Sequence, residues 1–199
     1  MAQKTYTSLC KKEKVSVEKI AQHRASENWE AIATELLTLC ETRTEIVSFA
    51  KNGKRVQIIE SIETGDDIAA SGRFLVRPPL VGRDSGIIHH ALRAKGLAAI
   101  VLCREPSTSL GLCPIVALGS GVMVRVQVEE PKNPEKPSCA WFDHAIEELG
   151  EHVLSKINPD TTTKRQLDYL LAHLPAVSTC TIVYTAAVAL CRTLCKEVI

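Results

Sequence analysis

Residues of the types that form nucleophilic sites lie close together near the middle of the chain. Ser85 is followed by His89 and His90, and Cys103 ends an apolar run. A serine or cysteine beside an imidazole base is the arrangement that hydrolases and transferases use for covalent catalysis. However, Ser85 precedes a predicted helix, where its hydroxyl can cap free N–H groups, and the apolar neighbours of Cys103 favour a buried, unreactive thiol. The sequence therefore predicts no enzyme, and these four residues are the catalytic candidates of the alternative, a hydrolase or transferase.

The same helix start predicts a site for an anion. Arg83 lies two residues before Ser85, and Arg77 ends a predicted strand. Guanidinium groups and the free N–H groups of a helix start together bind phosphates and carboxylates. Arg77, Arg83 and Ser85 are therefore the candidate anion-binding residues.

Basic residues elsewhere are of the kind that bind nucleic-acid phosphates. The candidates are Lys11, Lys12 and Lys14 in an N-terminal arm and the cluster Lys51, Lys54 and Arg55. The chain as a whole is balanced, with 24 lysines and arginines against 23 acidic residues, so bulk charge commits it to no polyanion. No aromatic stacking motif accompanies the basic residues. RNA or another nucleic acid is therefore an alternative partner.

The eight cysteines match no zinc-binding framework, and the chain carries no phosphate-binding loop or dinucleotide fingerprint. The sequence therefore predicts no metal and no cofactor. Most cysteines lie within apolar runs, which is typical of reduced, buried thiols in the cytoplasm or nucleus. The lysine-rich start lacks the apolar stretch of a secretory signal, and the uncharged stretch near the C-terminus contains several threonines rather than the predominantly apolar residues of a membrane span. We expect a protein that is neither secreted nor membrane-spanning.

Hydrophobic periodicity predicts an α+β fold with two units. Residues 1–130 form an α+β domain, made of a basic arm (1–14), helices over about 16–64 and a mixed section of strands and helix (73–129). Ser16, Ser26 and Thr44 are predicted to begin helices, and Asn52-Gly53 to end one. Residues 56–62 are predicted to be helical, although Val56 and Ile58 also fit a strand. A small central sheet includes a hairpin near 113–128 around Gly119-Ser120-Gly121.

A proline-rich linker at 131–137 is predicted to separate this domain from a C-terminal three-helix unit at 138–199. The last helix is apolar nearly all round, so it needs cover on more than one side. That cover comes either from its own domain or from a partner. The predicted function is a non-enzymatic, self-associating intracellular interaction or structural protein that binds itself or another protein, and nucleic-acid contact would belong to such an oligomer. The interface candidates are Ile182, Val183, Ala186, Leu190 and Leu194.

Overall fold

A computed structural model describes the chain at residues 2–63, 67–107, 109 and 112–197, with side chains from Thr5 onward. These residues include six helices and a five-stranded sheet, which confirms the predicted α+β fold. Outside the described part lie residue 1 and the side chains of residues 2–4 in the predicted arm, residue 64 of the helical section, residues 108 and 110–111 of the mixed section, and residues 198–199 of the C-terminal unit.

The elements follow the chain in a simple order. The helices are α1 Ala2–Ala25, α2 Trp29–Lys51, α3 Gly82–Ala94, α4 Cys139–Ser155, α5 Thr163–His173 and α6 Thr181–Glu197. The strands are β1 Val56–Ile59, β2 Gly72–Val76, β3 Ala99–Arg104, β4 Leu112–Gly119 and β5 Val122–Glu129. The strands lie in the sheet in the order of the chain, with β1, β2 and β3 parallel and β4 and β5 antiparallel.

The sheet separates two hydrophobic clusters. On one face, α3 packs on β2, β3 and β4 through Ile88 and Leu92, which contact a cluster that includes Phe74 and Cys103. The other face packs against the remaining helices, and its larger core runs without a break from α1 to α6. The three predicted C-terminal helices therefore pack on the sheet and on α2 within one chain. The division into units at 131–137 stays a prediction.

Two helices begin elsewhere than the sequence predicted. α1 begins at Ala2, so the basic arm is helical and Ser16 is a buried residue of its interior. α2 begins at Trp29, where the Asn28 side chain accepts a hydrogen bond from the backbone N–H of Ala31 at 3.1 Å. It then continues through Thr44 to Lys51, because the buried stripe of the helix has no interruption there, and it ends as predicted at Asn52.

The prediction of a helix over 56–62 was wrong. Val56–Ile59 is strand β1, which pairs in parallel with β2 from Val56↔Arg73 to Ile59↔Val76. The apolar spacing suits both structures over so few residues, and pairing with a neighbouring strand decided the outcome.

The hairpin between β4 and β5 is tighter than the predicted three-residue loop. Gly119 pairs with Val122, which leaves Ser120 and Gly121 as a two-residue turn with φ angles of 48° and 82°. Two positive φ angles define the turn type that matches the twist of an antiparallel hairpin. Along β5, valines alternate with other residues in the sequence, and Val124, Val126 and Val128 are buried while the residues between them are exposed.

Gly119 permits a close approach between this turn and the connector 174–180 that joins α5 to α6. A Cβ atom added at Gly119 would lie 2.1 Å from the backbone carbon of Pro175. We expect Gly119→Ala to lower the free energy of unfolding by about 3 kcal/mol in urea denaturation, because the colliding atoms belong to the backbone. Gly121→Ala is the control, since it meets no atom within 4 Å and its positive φ costs only about 1 kcal/mol. Equal losses in the two variants would contradict the close packing.

Candidate anion-binding cleft

A cleft lies beside α3, at the end of β4. This hollow has a volume of about 690 Å³ and lies between α3, the β4–β5 turn and the connector 174–180. We call it the polar cleft. Its charged and titratable lining consists of Glu13, Arg43, Arg83, His89, His90 and Arg93.

Glu13 is the centre of a buried ionic cluster in this cleft. Its two carboxylate oxygens accept hydrogen bonds from Arg43 Nε at 2.8 Å and from Arg93 Nη2 at 2.6 Å. The side chains of Glu13, Arg43 and Arg93 are 8%, 11% and 35% exposed. We call Glu13, Arg43, Arg93 and Tyr184 the Glu13 cluster. It joins α1, α2, α3 and α6 at one point.

The charge state of the Glu13 cluster is set by its own members. Burial disfavours the ionised carboxylate, but the hydrogen bonds and charges of Arg93 and Arg43 outweigh it and hold the pKa of Glu13 below its usual value. Tyr184 accepts a hydrogen bond from Arg43 Nη1 at 2.6 Å and donates one to the Ser178 carbonyl at 3.0 Å. Burial raises the pKa of Tyr184 to about 12, so the phenol is neutral. Two guanidinium groups therefore share one carboxylate.

Arg83 adds a further positive charge to the polar cleft. It is exposed, and within the described part of the chain it forms no ion pair. Three arginines thus line the cleft against a single glutamate, whose oxygens both face guanidinium groups. The cleft therefore carries a net positive charge even when both of its histidines are neutral.

His89 lies in the same wall and is neutral near pH 7. Its pKa falls to about 4, chiefly because burial disfavours the charged imidazolium and also because Arg93 repels it. No hydrogen bond of His89 exists among the described residues, and its neighbour His90 is exposed. A neutral imidazole at the edge of the cleft can donate or accept one hydrogen bond from a bound molecule.

The structure does not assemble the predicted catalytic group. Ser85 is buried inside α3, where its hydroxyl donates to the Gly82 carbonyl at 2.6 Å. It is not the helix cap, since Asp84 accepts the N–H of Val81 at the helix start. Cys103 is fully buried on the α3 side of the sheet, and burial raises its thiol pKa to about 12, the opposite of activation. The charged groups that act on this thiol are Glu105 and Asp84, not His89 or His90.

The structure does not bring Arg77 together with Arg83 in the polar cleft. Arg77 Nη2 donates to Glu60 at 2.6 Å, and Arg77 Nη1 donates to Glu135 at 2.8 Å. A third bond reaches the carbonyl of Pro134 and holds the linker 131–137. Both terminal nitrogens of Arg77 are therefore bonded to acidic partners, and the Ser85 hydroxyl is bonded to the backbone of its own helix. Of the three candidates, only Arg83 faces the polar cleft.

The predicted interface residues of α6 divide into two groups. Val183 and Leu194 are buried inside this chain, so they contradict the idea that the whole set forms a surface. Ile182 is 41% exposed, and Ala186 and Leu190 are half-buried. α6 is mainly a core helix of its own chain, which is the alternative that its apolar sequence left open. Self-association stays a prediction.

The predicted nucleic-acid-binding residues are on the surface. Lys11, Lys12 and Lys14 are exposed on α1, and Lys51, Lys54 and Arg55 are exposed at or just beyond the end of α2. The Nζ atom of Lys14 lies 3.9 Å from Oε1 of Glu18, and that of Lys51 lies 3.8 Å from Oδ2 of Asp143. Exposure permits contact with a polyanion but does not select one, so this role also stays a prediction.

No protein family model matches the chain, and no curated protein and no solved structure matches it. Within the described ranges, no three histidine, cysteine or carboxylate side chains come together as a metal site requires. None of the described helices combines the length and apolar content of a membrane-spanning segment. All eight cysteines are free thiols. The function of the polar cleft therefore has to follow from its geometry.

The Glu13 cluster was missed at the level of sequence, although a signal for it exists. On α1 the buried residues are Tyr6, Leu9, Glu13, Ser16 and Ile20, at the three- and four-residue spacing of one helix face. On α2, Arg43 continues the buried stripe in the same way. A charged residue on the buried face of each of two successive helices predicts an ion pair between them, because neither charge can be buried alone.

Proposed function

We propose that this protein binds a small anion, bearing a phosphate or carboxylate group, in the polar cleft. One observation carries the proposal. Arg43 and Arg93 are both paired to the single carboxylate of Glu13, so one guanidinium charge of the cluster is unbalanced at a site that is partly shielded from water. An anion in the cleft would balance that charge.

The other groups in the cleft suit the same ligand. Arg83 is exposed on α3 and has no ion pair with any described residue, and guanidinium groups bind oxyanions through two parallel hydrogen bonds. His89 offers a neutral imidazole, and Arg93 retains donors beyond the one that bonds Glu13. Charge-assisted bonds are worth about 1.5–3 kcal/mol each, which is enough for a specific site. The proposed role is binding rather than catalysis, and it needs no metal or cofactor.

Removal of Arg83 tests the proposal directly. We expect inorganic phosphate to bind with a dissociation constant of about 1 mM, measured by phosphorus NMR, and Arg83→Gln to weaken it about tenfold. Arg55→Gln is the matched control, because Arg55 is an exposed arginine outside the polar cleft. Equal affinities in the two variants would show that phosphate binds the surface at large, and failure of the wild-type protein to bind phosphate or acetate would end the proposal.

A further inference from the structure

A second hollow adjoins the polar cleft and differs from it in chemistry. This hollow, which we call the apolar trough, has a volume of about 700 Å³ and lies between α1 and α5 with α2 as its floor. Its apolar walls come from three helices and the first residue after α5, namely Val17, Ile20, Ala21, Leu39, Leu171 and Leu174. Volumes of this size hold organic ligands in many proteins.

The apolar trough and the polar cleft adjoin each other. Five residues line both of them: Glu13, Arg43, Arg93, Ser120 and Pro175. The ionic groups among these residues thus lie at the boundary. Arg83 lies on the side of the cleft, and the side of the trough has aliphatic side chains together with the exposed Lys14 and Glu18. The far end of the trough is closed by an ion pair, in which Arg24 Nη2 donates to Asp168 at 2.6 Å. A molecule in the trough can therefore extend toward the arginines, while Arg24 and Asp168 neutralise each other at the opposite end.

We infer that the ligand is an amphipathic anion, a single carboxylate or phosphate ester whose apolar body lies in the trough and whose charged head lies against Arg93 and Arg83. This inference rests on the proposed function, because the arginines supply the reason for the charge. The trough supplies the reason for an apolar body. Val17 on its wall is 44% exposed, and an apolar chain would remove that surface from water. We assign a free molecule rather than a lipid within a bilayer, because Glu13 and Arg43, beside which the head lies, are only 8% and 11% exposed.

A series of linear carboxylates tests both the apolar body and the charged head of the proposed ligand. In calorimetric titrations of the full chain with butanoate, hexanoate and octanoate, affinity should rise about fourfold for each methylene that enters the trough. Octanol, which has the same body and no charge, should bind at least tenfold more weakly than octanoate. Sedimentation with vesicles of phosphatidylglycerol should leave the protein in the supernatant.

Two valines of α1 provide a matched pair of variants. Val17 lines the apolar trough, whereas Val15 is 48% exposed and does not line it. Val17→Trp should fill the trough and abolish the gain from chain length without changing phosphate affinity. Val15→Trp should bind octanoate as the wild-type protein does.

The possible failures are distinct. Affinity that does not change with chain length, but still falls in Arg83→Gln, would overturn the amphipathic ligand and keep the anion site. Octanol binding as tightly as octanoate would overturn the anion and keep the trough. Recovery of the protein on vesicles without binding of free octanoate would overturn the inference in favour of a membrane surface.

Discussion

Glu13→Gln is expected to lower the free energy of unfolding by about 3–5 kcal/mol, because it leaves two largely buried guanidinium groups without a countercharge. Arg43 is only 11% exposed, and its hydrogen bonds go to Glu13 and Tyr184. A glutamine side chain retains the shape and one acceptor oxygen but not the charge that offsets the burial of Arg43 and Arg93. Urea denaturation near pH 7 measures the loss.

Glu18→Gln is the control for this variant. Glu18 lies on the same helix, but it is exposed and lies 3.9 Å from the exposed Lys14. Surface pairs of this kind contribute little, so the control should cost less than about 0.5 kcal/mol. If Glu13→Gln cost no more than Glu18→Gln, the Glu13 cluster would not be the buried charge centre on which the proposed anion site depends.

The second large effect is a decrease in the free energy of unfolding in acid, which we attribute to His89. The pKa of this histidine is about 4 in the folded protein, against 6.5 for an ordinary imidazole. Above pH 6.5 the ring is neutral in both states and contributes nothing to pH dependence. As the pH falls from 6.5 towards 4, the unfolded chain takes up a proton that the folded protein does not. Stability should therefore fall by about 2 kcal/mol between about pH 7.5 and pH 5.

Replacement of His89 isolates this contribution. His89→Gln should remove most of that loss, so the variant and the wild-type protein converge in stability as the solution is acidified. His144→Gln, which removes an exposed imidazole of α4, is the matched control. A wild-type slope in His89→Gln would mean that His89 is hydrated and titrates alike in both states. Glu13 does not confuse the comparison, because its lowered pKa places its titration at lower pH.

Much of the fold follows from local sequence signals. Ser138 and Thr162 cap α4 and α5, in agreement with the preference of serine and threonine for helix starts, and the alternation of valines in β5 indicates its buried face. The errors arose where tertiary contacts outweigh local preference. Val56–Ile59 suits a helix until β2 pairs with it, and Ser16 resembles a cap until α1 is buried against α2.

The candidate site was only partly predictable, because its residues are distant in sequence. Arg83 was identified as an anion-binding candidate and His89 as a catalytic candidate of the alternative, and both line the polar cleft. Glu13 and Arg43 come from two other helices, and only the packing of α1, α2 and α3 brings them to Arg93. Arg77 was a candidate that the fold removes from the site. Nothing in the neighbouring sequence indicates that its guanidinium group donates hydrogen bonds to Glu60 and Glu135.

The most direct test of the proposed anion site is the titration of the His89 ring, followed by NMR, with and without inorganic phosphate. Without phosphate, the ring should titrate with a pKa of about 4. Bound phosphate would offset the positive charge of Arg93, which helps to lower this pKa, so the His89 titration should move to higher pH. Identical His89 titrations with and without saturating phosphate would contradict the presence of an anion site in the polar cleft.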